Sequence, residues 1–246
     1  MSLKELIRKV FRREKFKASS EAYDLWSGNY DRQPGNLMLD LDEKLFEELG
    51  LGLTLKNAVI VDIGCGTGRH WSAILAQEPA SLTGFDSSPG MIARLKEKFP
   101  HSKAFVSSDQ YLAEIRNESV DLIISTLTIA HIQDLRNYFD EWVRVLKPGG
   151  RILLTDYHPA ALERGAKRTF KHQDKTIAIR NYVHSLSSIR QLAGQRNLTE
   201  ERFLEKFIDE KVKHYYEAQD AIQLYEAFRS QPIIFGMLLK KSDASS

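Results

Sequence analysis

The stretch "VIVDIGCGTGRH", Val59 to His70, decides the fold of this chain. It begins with an apolar run that ends at an acid, as expected of a strand buried on both faces of a sheet. Glycine then occupies every second position, at Gly64, Gly66 and Gly68. A strand that leads through such a loop into a helix directs free backbone N–H groups and the positive end of the helix dipole towards a ligand. The stretch therefore predicts an α/β sheet with a binding site at the carboxyl edge of this strand.

The residues after this loop alternate apolar runs with helical patterns. This order is typical of a doubly wound, mainly parallel sheet with helices on both faces. The predicted strands are residues 58–63, 82–86, 103–108, 119–126 and 151–157, and the predicted helices are residues 68–77, 88–99 and 135–146.

The alternation ends after Tyr157, so the last third of the chain is predicted less regularly. Residues 176–186 and 232–241 have the apolar and β-branched content of strands, and a helix is expected between them, after residue 186. Residues 199–212 are ambiguous between helix and strand, and a strand is favoured over their second half. We find no internal repeat and no long linker, and we expect one domain.

The composition is ordinary for a globular protein, with 42% hydrophobic and 28% charged residues among 246. A net charge of +2 gives no overall field for nucleic acid or membrane, and a single cysteine rules out an internal disulfide or a cysteine-based zinc cluster, so no metal is expected. We expect no membrane span and no secretory signal, and a cytoplasmic protein. Residues 1–17 are basic and predict an amphipathic helix, which binds a membrane surface or a partner helix, or simply packs on its own domain.

The spacing of the glycines separates the ligand from a dinucleotide. The dinucleotide pattern is G-x-G-x-x-G, whereas here the spacing is G-x-G-x-G and Arg69 stands where that pattern needs its last glycine. The chain also lacks the P-loop pattern. Asp86 ends the second strand, where a carboxylate accepts from two ribose hydroxyls, and Asp109 follows the third strand, where it accepts from an adenine amine. A loop for an amino-acid moiety and these two acids together describe S-adenosylmethionine.

Five stretches carry a resemblance to a known family: "VDIGCGTGRH", "GFDSSPGMI", "SSDQ", "VDLIISTLTIAHIQD" and "VLKPGGRILLTDYHP". In order and spacing they resemble the motifs of class I S-adenosylmethionine-dependent methyltransferases, in the small-molecule branch that includes ubiquinone and menaquinone methyltransferases. The resemblance covers about residues 20–160. It implies a Rossmann-like, seven-stranded, mainly parallel sheet with an N-terminal helical lid. The implied divisions are a lid over residues 1–50, a cofactor core over 56–157 and a substrate-pocket segment over 158–246.

The resemblance also implies roles for individual residues. S-adenosylmethionine, and its product S-adenosylhomocysteine, would contact the glycine loop, the ribose acid, the adenine edge and the end of the fourth strand. The implied cofactor residues are Asp62, Gly64, Cys65, Gly66, Gly68, Asp86, Ser87, Met91, Ser108, Asp109, Gln110, Thr126 and Tyr30.

Methyl transfer needs an aligned nucleophile and the exclusion of water, and sometimes a base for the acceptor's proton. His131 matches a histidine common in this branch and is the candidate base, or a clamp on the lid. Each candidate histidine could instead make a structural hydrogen bond to a loop carbonyl, and Trp26 could be helix-face core. The candidate pocket residues for a small-molecule acceptor are Tyr23, Trp26, His131, Tyr157, His158, Arg180, Tyr182 and His184.

The residues from 158 to 185 would define the acceptor in such an enzyme. They include the basic run "RGAKRTFKHQDK", which would attract an acidic acceptor or form a solvated loop.

Other functions for the same cofactor fold remain open. Amino-directed DNA enzymes carry an Asn/Asp-Pro-Pro-aromatic loop after the fourth strand, where this chain has Thr126 to Ile129. Cytosine-C5 enzymes need a catalytic cysteine, and Cys65 lies inside the cofactor loop. We therefore expect no nucleic-acid partner, while an RNA-directed or protein-directed methyltransferase and a noncatalytic S-adenosylmethionine-binding module stay as alternatives.

Overall fold

The structure, a computed structural model, describes residues 15–32, 35–107, 110–172 and 175–243. Its strands are β1 (Lys15–Lys17), β2 (Val59–Ile63), β3 (Ser81–Asp86), β4 (Lys103–Val106), β5 (Val120–Thr126), β6 (Leu146–Tyr157), β7 (Thr169–His172), β8 (Lys175–Ile179), β9 (Leu198–Phe207) and β10 (Pro232–Lys241). Its α-helices are α1 (Ser19–Trp26), α2 (Leu37–Gly50), α3 (Trp71–Leu75), α4 (Pro89–Lys98), α5 (Arg136–Val145), α6 (Pro159–Glu163), α7 (Leu186–Gly194), α8 (Lys213–Glu217) and α9 (Ile222–Phe228).

Seven strands form the central sheet, in the order β4-β3-β2-β5-β6-β10-β9. The five strands from β2 to β6 are parallel to one another, and β10 runs antiparallel to both of its neighbours. The predicted doubly wound sheet is confirmed. Its strand order reverses between β2 and β5, and ligands bind beyond the carboxyl ends of the strands at such a point.

The core lies on both faces of this sheet, because successive side chains of a strand point to opposite faces. Val61 and Ile123 pack on one face with Trp142 of α5. Ile60 and Ile124 pack on the other face, against α3 and α4. Burial of each such side chain contributes about 1.5–3 kcal/mol. The central strands are thereby fixed, and with them the loops at their carboxyl ends.

A second, three-stranded sheet has the order β1-β8-β7 and carries the lid helix α1. Trp26 of α1 is buried, and its ring stacks on Phe170 of β7 with the centroids 4.7 Å apart. Ala22, Ile177 and Ile179 complete this apolar cluster. The small sheet thus fixes how the lid lies over the edge of the large one.

One sequence-based expectation falls mostly outside the described residues, and two others need correction. Most of the predicted basic helix, residues 1–14, is outside the described residues, and Lys15–Lys17 is a strand paired with β8. The strand expected over residues 176–186 ends at Ile179, because the Tyr182 N–H bonds to the carbonyl of Ala130 instead of a neighbouring strand. In the ambiguous segment, residues 199–212, the strand was expected over the second half. The strand is Leu198–Phe207 and lies mostly in the first half, because these residues pair with β10.

No helix in the described part of the chain is long and apolar enough to cross a membrane.

Candidate active site

A cavity of about 470 Å³ opens at the carboxyl edge of the large sheet, between the glycine loop and the lid. Residues from β2, β3 and β5 form its floor, and α1 and the segment before β7 form its roof. Among the residues that line it are Tyr23, Tyr30, Asp62, Gly64, Cys65, Gly66, Asp86, Ser87, Met91, Gln110, Thr126, His131, Arg168 and Tyr182.

The three glycines of the loop have positive φ angles but different surroundings. A Cβ on Gly64 would meet the Thr128 side chain at 2.1 Å, so this glycine makes room for a neighbouring loop. A Cβ on Gly66 would meet no atom within 4 Å, so this position opens into the cavity. A Cβ on Gly68 would approach Trp71 at 3.1 Å; this glycine faces the core and does not line the cavity.

Asp86 ends β3 and lies directly beneath the glycine loop. Its carboxylate accepts hydrogen bonds from the Gly66 N–H at 2.9 Å and from the Ser88 N–H at 2.8 Å. Burial raises the pKa of Asp86, while these N–H donors act in the opposite direction. A carboxylate has about four acceptor sites. Ser87 contributes a further backbone N–H, and the acceptor sites that remain can take hydroxyl donors from the cavity.

Asp62 ends the apolar run of β2 and accepts a hydrogen bond of 2.7 Å from the Trp71 indole. It is buried, and burial raises its pKa to about 7; the nearby charge of Asp86 adds to the rise. A cationic group bound in the cavity would favour the ionised carboxylate and lower this pKa again.

A buried polar cluster supports the loop from below. Asp42, on α2, accepts hydrogen bonds from Arg69, from Thr155 and from His70, the last at 3.1 Å. Burial alone would raise the pKa of Asp42, but the positive charge of Arg69 and the hydrogen bond from His70 outweigh it and bring the pKa to about 2. Asp42 is thus a permanent anion that ties α2 to the residues after the glycines.

His131 follows β5 and contacts the lid. Its Nε2 lies 2.9 Å from the Tyr23 hydroxyl, and its Nδ1 lies 3.2 Å from the carbonyl of Arg180. A carbonyl only accepts, so Nδ1 carries the proton and Nε2 accepts from Tyr23. Burial, with a smaller contribution from the charge of Arg168, lowers the pKa of His131 to about 4. The imidazole is therefore neutral and holds Tyr23 over the cavity.

The lid is also attached to the cofactor side of the cavity. Asp24 of α1 accepts hydrogen bonds from the Ser88 hydroxyl and from the Gly90 N–H, at the start of α4. Asp31, just after the lid helix, accepts a hydrogen bond of 2.6 Å from the Thr67 hydroxyl in the glycine loop. The same short segment therefore contacts His131 on one side of the cavity and the glycine loop on the other.

Arg168 lies in the basic run that was predicted either to form a solvated loop or to attract an acidic acceptor. Its side chain is only 4% exposed. Its guanidinium donates to the Tyr30 hydroxyl at 2.9 Å. It also lies 5.4 Å from the ring centroids of both Tyr23 and Trp26. The solvated-loop interpretation is wrong at this position, because Arg168, just before β7, is buried like Phe170 two residues later.

Other predicted site residues lie away from the cavity. Trp26 and Tyr157 line a second cavity behind the lid. His158 accepts from the Ala160 N–H at 3.2 Å and caps α6. His184 donates to the Ile132 carbonyl at 2.8 Å. This is the structural hydrogen bond to a carbonyl that was the alternative to a role in the pocket. The Arg180 side chain is exposed, and its carbonyl is the part that contacts the site. Ser108 and Asp109 are outside the described residues.

Sequence reasoning missed several lining residues, chiefly Thr67, Leu127, Thr128 and Arg168. Leu127 has a φ of +52°, which is unusual for a bulky side chain. Its N–H bonds to the Thr155 carbonyl of β6, and this bend turns the Thr128 side chain towards Gly64. No residue type in "STLTIAH" signals such a bend.

The chain is similar to known proteins in sequence and in fold. Residues 61–154 match a family described as "Methyltransferase domain". The chain is 29% identical over 187 residues to the biotin biosynthesis bifunctional protein BioHC of Cellvibrio japonicus, covering 75% of this chain and 35% of that protein. It is 30% identical over 142 residues to the malonyl-[acyl-carrier protein] O-methyltransferase of Hahella chejuensis, covering 57% of this chain and 47% of that protein. The match therefore spans less than half the length of either relative.

The fold also matches solved structures. A putative S-adenosylmethionine-dependent methyltransferase from Listeria monocytogenes superposes with a TM-score of 0.62 at 14% identity, covering 82% of this chain and 99% of that one. At this identity the likeness concerns the fold alone.

Proposed function

We propose that this chain, which belongs to the class I S-adenosylmethionine-dependent methyltransferases, transfers a methyl group to a small-molecule acceptor. The observation that carries the proposal is the glycine loop, whose Gly66 opens into a cavity that Asp86 and the lid also line. We also propose that the chain acts as a single domain and is cytoplasmic, as its composition predicts.

The residues of this cavity fit S-adenosylmethionine. Gly66 leaves room for the amino-acid part of the cofactor against the backbone. The unused acceptor capacity of Asp86 suits two ribose hydroxyls, and the carboxylate of Asp62 suits the cofactor's ammonium group. When bound, the cofactor supplies an activated methyl group on a sulfonium.

The chain's own residues would contribute orientation and the exclusion of water more than acid–base chemistry. A histidine with a pKa of about 4 is a weak proton acceptor near neutral pH. We therefore assign His131 the role of a positioning residue for Tyr23, and Tyr23 and Tyr30 the role of covering the reacting groups. Thr126, at the end of β5, would lie nearest the transferred group.

The names of the relatives guide the first choice of acceptor. The relative from Hahella chejuensis is named a malonyl-[acyl-carrier protein] O-methyltransferase, so a malonyl thioester is the first defined acceptor to test.

The test is methyl transfer from S-adenosylmethionine labelled in the methyl group. Purified protein would be incubated with the malonyl thioester and, separately, with the small-molecule, RNA and protein fractions of a cell extract. We expect label in the small-molecule fraction or the thioester, and none with a Gly66→Ala variant. Label in RNA or protein alone would replace the small-molecule assignment. Binding of S-adenosylhomocysteine without transfer to any fraction would identify a noncatalytic module.

A further inference from the structure

We infer that Arg168 binds a carboxylate of the acceptor, which makes the acceptor a carboxylic acid. The inference rests on the proposed function, because it assigns the acceptor side of the same cavity. It starts from a buried charge that makes no salt bridge to a carboxylate within the described residues.

The guanidinium of Arg168 is permanently charged. Burial by itself would lower its pKa, but the oxygens of Tyr23, Tyr30, Tyr157 and Asp156 raise the pKa above its usual value. Burying a charge is costly unless a partner of opposite charge compensates for it. Among the described residues, Arg168 has no salt bridge to a carboxylate, and its guanidinium donates a hydrogen bond to the Tyr30 hydroxyl.

Asp156 is the carboxylate whose charge acts on Arg168, but the two form no salt bridge among the described residues. Its two oxygens accept hydrogen bonds from the Ala130 N–H at 2.8 Å and the Tyr157 N–H at 2.7 Å. Burial raises the pKa of Asp156 to about 7, so it is partly neutral at physiological pH. It therefore compensates the charge of Arg168 only in part.

The aromatic rings around Arg168 hold it without using up its donors. Its guanidinium lies 5.4 Å from the Tyr23 and Trp26 centroids and 5.9 Å from that of Tyr30, distances at which cation–π attraction acts. Cation–π attraction does not use the N–H donors of the guanidinium, one of which goes to the Tyr30 hydroxyl. A guanidinium matches a carboxylate through two parallel hydrogen bonds, and this geometry favours a planar anion.

Arg168 lines the same cavity as Gly66, Thr126 and His131. Asp62 and Asp86 also line it, on the floor. The roof is therefore cationic and the floor is acidic, so an anion would be drawn towards Arg168 and away from the two acids. An acceptor carboxylate is thereby placed on the lid side, opposite the sites assigned to the ammonium and ribose of the cofactor.

The test measures binding and not methyl transfer. Protein saturated with S-adenosylhomocysteine would be titrated with acetate, butyrate and benzoate, and in parallel with the uncharged amides of the same acids, by calorimetry or ligand-observed NMR. The variants are Arg168→Gln, which removes the charge, and Arg168→Lys, which keeps it. Arg164→Gln is the matched control, since Arg164 is an exposed arginine of the same segment.

We expect at least one of the acids to bind the wild type and the Arg164→Gln variant with equal affinity, and its amide to bind more weakly. Arg168→Gln should weaken binding of the acid by about tenfold or more, and Arg168→Lys by less. Arg168→Gln should weaken S-adenosylhomocysteine much less than it weakens the acid, since the cofactor uses the floor of the cavity and Arg168 acts on it only through the lid.

Several outcomes would overturn the inference. One is that no acid in the panel binds the wild type. Another is that Arg168→Gln weakens S-adenosylhomocysteine and leaves the acid unaffected, which would assign Arg168 to the cofactor's own carboxylate. A third is that acid and amide lose affinity equally in a protein with a lowered melting temperature, which would leave Arg168 only a packing role. Failure of the methyl-transfer test would not produce any of these patterns, so the two proposals fail separately.

Discussion

Replacing Gly66 by alanine tests whether this glycine is needed to make room for a ligand or to form the backbone turn. The φ of Gly66 is +53°, and an L-residue in this region costs about 1–2 kcal/mol. No atom lies within 4 Å of the new Cβ, so the empty protein has no further clash. With about 2–4 °C lost per kcal/mol in a chain of this size, we expect the melting temperature to fall by about 2–8 °C.

The larger effect of Gly66→Ala should be on the cofactor. The Cβ would project into the space that the cofactor's amino-acid part needs, and an inserted methyl costs up to about 3 kcal/mol in a packed contact, or about a hundredfold in Kd. Calorimetric titration with S-adenosylhomocysteine measures this loss, and a thermal melt without ligand measures the cost to the fold.

Gly68→Ala is the matched control for this experiment. Gly68 also has a positive φ, +74°, but its Cβ would press on Trp71 and Phe99 at 3.1 Å and on Leu95 at 3.3 Å. We therefore expect a larger fall in melting temperature for Gly68→Ala, with S-adenosylhomocysteine affinity within about threefold of wild type once folded. Retained affinity in Gly66→Ala, or the same pattern in both variants, would refute the reasoning.

Three further predictions concern acidic side chains. Asp86→Ala should weaken S-adenosylhomocysteine binding by about 2–4 kcal/mol, and Asp109→Ala by less, because only Asp86 would lose two hydroxyl donors; an equal or reversed order in calorimetry would contradict the ribose assignment. The pKa of Asp62 is raised to about 7 in the free protein, and a bound ammonium would lower it. Affinity for S-adenosylhomocysteine should therefore rise about tenfold between about pH 6 and pH 8, as the carboxylate ionises. An affinity that does not change with pH would exclude this contact. Asp42→Asn should lower the free energy of unfolding by about 3 kcal/mol in urea, because it leaves the partly buried Arg69 without its anionic partner. Asp140→Asn, which removes an exposed carboxylate from an ion pair, should cost less than about 1 kcal/mol. Similar losses would show that the Asp42 cluster does not hold the loop.

The cofactor half of the fold could be predicted from the sequence because its signals are local. The apolar runs of β2 and β5 are buried on both faces, and each glycine of the loop stands where a positive φ occurs. Asp86 could be placed because the end of a parallel strand always lies at the same edge of the sheet. These inferences need only the residues within one strand–loop–helix unit.

The acceptor half could not be predicted in the same way, because it depends on pairing between distant segments. Strand β1 pairs with β8, more than 150 positions later along the chain, and this small sheet decides that Trp26 packs on Phe170 while Tyr23 faces the cavity. The two aromatics stand three residues apart on one helix, so periodicity alone left their roles open. Arg168 looked like one charge among many in a basic run.

Asp42 is a different kind of omission, because the sequence does carry a signal for it. Met38, Asp42, Leu45 and Leu49 lie at helical spacing on one stripe of α2, and all are buried. An acid in an otherwise apolar stripe indicates a buried cationic or hydrogen-bonding partner. The partner of Asp42 is Arg69, the residue that stands in place of the last glycine of a dinucleotide loop.

The attachments of the lid connect the two halves of the site energetically. Asp24 and Asp31 bind the lid to the cofactor loop and to the start of α4, while Tyr23 and Tyr30 bind it to His131 and Arg168. These contacts lie within 13 consecutive residues, from 19 to 31, so movement of one end strains the contacts at the other. A carboxylate on Arg168 would compensate the charge beside the lid and favour the arrangement in which the lid covers the cofactor. Acceptor binding and cofactor enclosure are thereby linked, and by reciprocity each ligand should tighten the binding of the other.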